Sequence, residues 1–223
     1  MKLVHLDYAI EIILEENKVQ TLVVESPSAF RKLLWELESS GDECRWVLSD
    51  EGSILPMEKK LEVIINPYSL DTNQRKFITQ LYNLIEDDIL ETGILSKWNG
   101  LTGTIIDFMD NVSDVNSYEV VYNDDVNIKD FLKLLNVRFD NDKSSMIENI
   151  MEYVLLARQI FKIEIFAFVN LKSYLEKVEI NLLLEKLLYE KIHVVLFESM
   201  DREALCDNED VIIMDCDYCV IYK

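Results

Sequence analysis

Thr21-Leu22-Val23-Val24-Glu25-Ser26-Pro27-Ser28-Ala29-Phe30 decides the fold class. The apolar, partly β-branched run from Thr21 to Glu25 reads as a strand. Ser26 then suits a helix N-cap, and Pro27 suits the first helical position, where its missing N–H costs nothing. A strand passing through a tight turn into a helix is the opening of an α/β fold. In nucleotide-binding versions this turn is a phosphate loop. Such a loop needs glycines, so that backbone N–H groups can approach phosphate, and a Lys to balance its charge. The turn here has neither, and Pro27 removes a further donor.

Working outward, Ile163-Glu164-Ile165-Phe166-Ala167-Phe168-Val169 is nearly all apolar, as a strand covered on both faces must be. It ends in Val169-Asn170, where an ATPase would place a magnesium-holding Asp. Both absences argue against ATP hydrolysis, and no nucleotide is expected. Residues 3–14 alternate loosely, as a short hairpin would. Cys44–Leu48, Leu61–Ile65, Val194–Phe197, Val211–Met214 and Cys219–Tyr222 read as further strands. Ser173-Tyr174-Leu175-Glu176 has the form of a capping box opening a helix to about Glu190.

Between these parts the period changes. Asp71-Thr72-Asn73-Gln74 opens a long helical pattern through Phe77, Leu81 and Leu84, and Gly93 interrupts it. Leu101, Ile105, Phe108 and Val112 mark a second helix. A third fits residues 126–135 and a fourth 144–160. The expectation is an α/β head from residues 1–70 and 159–223, with a mostly parallel sheet, and an inserted all-helical domain over 71–158.

Composition narrows the function classes. The chain has 223 residues, 49% of them hydrophobic, which suits a packed core rather than a disordered tail. No apolar run is long enough to span a membrane. Four cysteines and no export signal suggest reduced thiols and a cytoplasmic location. Twenty-two Lys and Arg against 42 Asp and Glu give a net charge of −20, which taken alone opposes nucleic-acid binding.

Familiar catalytic chemistry is missing. His5 and His193 are the only histidines, and no Ser or Cys nucleophile has a supporting motif. Cys216-Asp217-Tyr218-Cys219 has C-x-x-C spacing, but a zinc site needs about four ligands, and a redox pair belongs at a helix start. Six acids lie between Asp107 and Asp125 with no Lys or Arg among them. They read either as a solvated connection or as ligands for a hard cation. A second acidic run, Glu198 to Asp217, reads as a surface loop. Directly after the first cluster, Lys129, Lys133, Arg138 and Lys143 face Asp130, Asp140 and Asp142, leaving residues 126–147 at +1. Lys129 and Lys133 are four apart and share a helix face.

The order of the parts carries a resemblance. Pro67-Tyr68-Ser69-Leu70-Asp71-Thr72-Asn73 precedes the long helix, and Leu101-Thr102-Gly103-Thr104-Ile105 opens the second. The acidic stretch ends in Asn123-Asp124-Asp125. Phe131-Leu132-Lys133-Leu134-Leu135-Asn136-Val137-Arg138, Ile165–Asn170 with Tyr174-Leu175, and Val194–Glu198 follow. Over nearly its whole length the chain resembles the small accessory protein of type II-A CRISPR loci that acts in acquiring new spacers.

That resemblance implies a head like a degenerate P-loop ATPase core and a helical leg. It implies a non-enzymatic homotetrameric ring that holds double-stranded DNA in a central hole, beside the CRISPR integrase and the RNA-guided nuclease. Lys133 and Arg138 fall at basic positions of the family pattern, with Lys129 and Lys143 beside them. Asp124 and Asp125, with Glu119, fall in the region where family members bind calcium. A ring would reconcile the charge with DNA, because salt screens the rim acids over about 8–10 Å while four subunits gather their cations at the lumen. Two rival readings are a degenerate P-loop-like protein-interaction module and a metal-dependent nuclease using the Asp107–Asp125 carboxylates.

Overall fold

The computed structural model describes residues 1–223 apart from 40, 42–43, 116–118, 142–144 and 203–207. Two compact units emerge, Met1–Leu70 with Lys143–Lys223, and Asp71–Asp142.

The first unit holds two sheets. In the larger, β3 (Val19–Val24), β6 (Leu61–Ile64), β7 (Ile165–Val169), β8 (His193–Glu198) and β9 (Glu209–Met214) run parallel, and β10 (Val220–Tyr222) returns antiparallel to β9. Their order is β10-β9-β3-β8-β7-β6. Every residue of β3 and of β7 is buried, which explains the unbroken apolar sequence of β7, while β3 buries Gln20 and Thr21 beside its apolar residues. Alternation divides the faces. Leu22 and Val24 share a core with Leu33 and Leu37 of α1 (Pro27–Glu38), whereas Val23 joins Val211 and Ile213.

The smaller sheet was not foreseen as separate. β1 (Lys2–His5), β2 (Glu11–Ile13), β4 (Trp46–Asp50) and β5 (Ser53–Leu55) pair antiparallel in the order β2-β1-β4-β5. Leu3, Ile12, Trp46 and Leu48 bury their apolar faces in the same core as α1. The one-turn helix α2 (Met57–Lys60) leads into β6.

The second unit contains α3 (Arg75–Glu91), α4 (Leu95–Val115) and α5 (Ile128–Leu134). Tyr82, Ile128 and Leu132 form its buried centre, and Ile78, Leu81, Ile85, Ile89, Trp98 and Val137 pack against it.

Two boundaries differ from expectation. The helical segment was expected to run to residue 158, but α6 (Met146–Phe161) lies in the first unit. Its Ile147, Ile150, Tyr153, Val154 and Ala157 are buried. The Tyr153 hydroxyl donates to Glu62 Oε1 at 2.6 Å, and Asn149 Nδ2 donates to the Leu70 carbonyl at 3.1 Å. Helical period reveals a buried face but not its partner. The last helix, α7 (Lys177–Tyr189), starts four residues after Ser173, with Glu176 as its N-cap. Glu176 N donates to Glu179 Oε2 at 2.8 Å, while Ser173 Oγ accepts from Arg202 Nη2 at 3.0 Å. The capping box is real but lies three residues later than expected.

Candidate nucleic-acid interface

The helical unit is acidic as a whole. Residues 71–142 carry 6 Lys and Arg against 14 Asp and Glu, a net −8. Any surface for phosphate must therefore be local.

α5 carries two of the expected cations. Asn127 Oδ1 caps it by accepting from Lys129 N at 2.8 Å. Ile128 and Leu132 turn inward, which sends Lys129 and Lys133 outward. The two lysines then diverge in role. Lys129 Nζ lies 2.7 Å from Glu86 Oε2 on α3, so its charge ties two helices together. Lys133 Nζ pairs with Asp130 Oδ1 at 2.8 Å, but both side chains are about two-thirds exposed (64% and 70%). Such a surface pair holds weakly and can be exchanged for a phosphate.

Arg138 sits on the segment that follows α5, and three hydrogen bonds fix that segment to α3 and its approach. Tyr82 O–H donates to the Val137 carbonyl at 3.1 Å. Asn73 Nδ2 donates to the Phe139 carbonyl at 3.1 Å, and Phe139 N donates back to Asn73 Oδ1 at 2.9 Å. Arg138 itself is exposed, with no carboxylate partner among the described residues. Lys143 lies outside the described residues. Of the four expected cations, Lys133 and Arg138 are presented to solvent and Lys129 is largely committed. Sequence spacing could not reveal Glu86, Asn73 or Tyr82 as partners, because each is more than 40 positions away.

The expected metal ligands Glu119, Asp124 and Asp125 are all exposed. Among the described residues no three His, Cys, Asp or Glu side chains gather as a bound ion requires. What the acidic stretch does show is a tyrosine contact. Tyr122 donates its hydroxyl to Asp110, and that hydrogen bond, reinforced by the charges of Asp110, Asp124 and Asp107, pushes the phenol up to about 12.

In the first unit, only Glu25 and Ser26 separate β3 from α1, too little chain for a phosphate cradle. Ser26 Oγ accepts from Ala29 N at 3.5 Å and is hydrogen-bonded to Ser28 Oγ at 3.0 Å, so α1 closes its own N-terminus. Asn170 adopts a left-handed conformation (φ 51°), and its Oδ1 accepts from Ser199 N and Oγ at 2.9 and 2.8 Å. His5 is buried, with Nε2 2.8 Å from Glu36 Oε2. His193 is half-buried, and burial holds its pKa below the ordinary value. Cys216 and Cys219 are free and exposed on a turn, and Cys206 lies outside the described residues.

The second acidic run is not simply a surface loop. Glu198 is 1% exposed, and the Glu209 side chain is fully buried against Lys172. Lys172 reaches Glu209 from the turn after β7, and sequence gave no sign of that pairing.

Residues 38–218 match the family model described as CRISPR-associated protein (Cas_Csn2). The chain belongs to this family. It is thereby placed with the type II-A CRISPR adaptation proteins that the order of motifs resembles. Solved structures offer looser likenesses. One is cbiO1 from Clostridium perfringens, part of the ABC transporter complex cbiONQ. It is 9% identical, with 95% of this chain and 83% of that one covered and a TM-score of 0.49. Another is an ABC transporter ATP-binding protein from Pyrococcus furiosus, 14% identical, covering 95% and 97% of the two chains, with a TM-score of 0.42. Among the described residues no helix is long and apolar enough to cross a membrane.

Proposed function

We propose that this Cas_Csn2 family member is a non-enzymatic double-stranded DNA-binding protein that acts in spacer acquisition as a homotetrameric ring. It works beside the CRISPR integrase and the RNA-guided nuclease. The observation that carries the reading is the pair of exposed cations, Lys133 and Arg138, on a clamped edge of an otherwise acidic unit in a chain of a CRISPR-associated family. Contacts from such groups go to phosphates and carry no sequence information.

Two further features support it. α4 has no buried residue although it is 21 residues long. Ile94, Trp98, Leu101, Ile105, Phe108, Val112 and Val115 repeat at alternating steps of four and three, the seam of a packed helix pair. Trp98 packs on the unit's own centre, whereas Phe108 at 64% and Val115 at 86% exposure leave the later part of the repeat available to a second copy. The closed two-residue connection at Glu25-Ser26 supports the absence of nucleotide chemistry.

The test compares a linear duplex with a closed circle of the same sequence at two salt concentrations. The ring reading expects tighter binding of the linear form and a steep loss with salt. Equal affinities, or binding insensitive to salt, would refute it. Native mass measured with and without calcium reads the tetramer and its dependence on the ion. DNA left intact by Mg²⁺ or Mn²⁺ separates this reading from a nuclease.

A further inference from the structure

A second arginine borders the seam that holds Arg138. Arg75 opens α3, and on a helix it stands seven positions, about 10.5 Å along the axis, before Tyr82. Seven residues are close to two full turns, so Arg75 and Tyr82 share one side of α3. Tyr82 uses that side to hold Val137, and Asn73, two residues before Arg75, holds Phe139 through two hydrogen bonds. The segment carrying Arg138 is therefore pinned at both of its neighbours, alongside the helix face that carries Arg75.

Both guanidiniums are exposed, and neither has a carboxylate partner among the described residues. This occurs in a chain with nearly two acids for every base. The local acids are accounted for in part. Asp71 Oδ1 accepts from Asn73 N at 2.8 Å and from Asn141 Nδ2 at 2.9 Å. Asp140 is exposed and has a partner of its own. Lys76 adds a further charge beside Arg75, with its Nζ 5.3 Å from the centre of the Phe77 ring. Arg75, Lys76 and Arg138 against Asp71, Asp140 and Asp142 make segments 71–76 and 137–142 neutral in sum within a unit at −8.

We infer that Arg75 and Arg138 together form a two-point clamp for a phosphodiester backbone, with Arg75 a DNA-contacting residue in its own right. The inference rests on the DNA-binding reading above and extends it to α3. Guanidinium suits the role because its planar fork takes two phosphate oxygens at once and cannot lose its charge. The hydrogen bonds of Asn73 and Tyr82 hold the backbone that carries Arg138 against α3 before any DNA arrives.

The experiment titrates a linear duplex against wild type, Arg75→Gln, Arg138→Gln and Arg75→Lys over a range of NaCl concentrations. Circular dichroism confirms that each variant keeps its fold. Each lost phosphate contact should lower the slope of log affinity against log salt by about 0.9 per site. Arg75→Gln is expected to match Arg138→Gln in slope and in affinity loss, about tenfold or more at low salt. Arg75→Lys should keep the slope yet bind more weakly, since it preserves the charge without the fork. If wild type binds and Arg75→Gln retains its affinity and slope, the clamp is wrong while the DNA reading stands. If wild type does not bind duplex at any salt, the DNA reading fails and takes the clamp with it.

Discussion

Removing the Lys172 ammonium should be among the most damaging single changes in the first unit. Lys172 Nζ lies 2.5 Å from Glu209 Oε1, with side-chain exposures of 3% and 0%. The same carboxylate oxygen accepts from Thr21 Oγ1 at 2.5 Å, which ties the turn after β7 to β3 and β9. Lys172→Met keeps the length and apolar volume of the stem but leaves a carboxylate buried without its counter-charge. Taking the ammonium from one side of a buried pair is expected to cost about 3–5 kcal/mol. The double variant Lys172→Met/Glu209→Met removes both charges and should regain most of that loss. Urea denaturation reads the outcome as a shift of midpoint at constant slope. A single variant that loses less than about 1 kcal/mol would show that Glu209 is solvated or protonated and would refute the argument. So would a double variant whose loss equals the sum of the two single changes.

Phe108→Asp on α4 should leave the secondary structure intact and shift the protein to smaller assemblies in sedimentation, because it puts a charge in the open seam. Tyr82→Phe deletes the hydroxyl that holds Val137 and should cost about 1 kcal/mol in stability, with weaker duplex binding as Arg138 loses its anchor. His193 has a pKa depressed by burial, so on acidification through its ordinary value of 6.5 the unfolded chain takes up a proton first. The stability contribution of this group is therefore full above pH 6.5 and is lost as pH falls below it. His193→Gln should flatten that part of a pH-stability profile, and an unchanged profile would remove His193 as its source.

Local chemistry was legible in the sequence and long-range partnership was not. Ser26 and Pro27 start α1 as read, because cap and first turn are decided within four residues. The apolar runs at Leu22–Val24 and Ile165–Val169 mark strands inside the large sheet, since strands covered on both faces lack alternation. Strand period, by contrast, does not say which strands pair, so the separate antiparallel sheet of β1, β2, β4 and β5 went unseen. α6 was assigned to the wrong unit for the same reason, as its buried stripe fits either neighbour equally well on paper. In the candidate site, Lys133 and Arg138 are named through the family resemblance, but neither Glu86 opposite Lys129 nor the placement of Arg75 beside the Arg138 segment is legible in the sequence. Glu198 and Glu209 looked like solvated loop acids because burial of a charge is decided by what folds over it.

The open seam of α4 has a consequence for control in the cell. On the ring reading proposed above, four-copy assembly rises with the fourth power of free subunit concentration, so a twofold rise in supply would give about sixteen times as many rings while subunits are scarce. On that reading the exposed apolar positions of α4, Phe108 and Val115 among them, would convert copy number into a threshold. Below it the acidic net charge of single subunits would disfavour DNA, and above it the few exposed cations would act together.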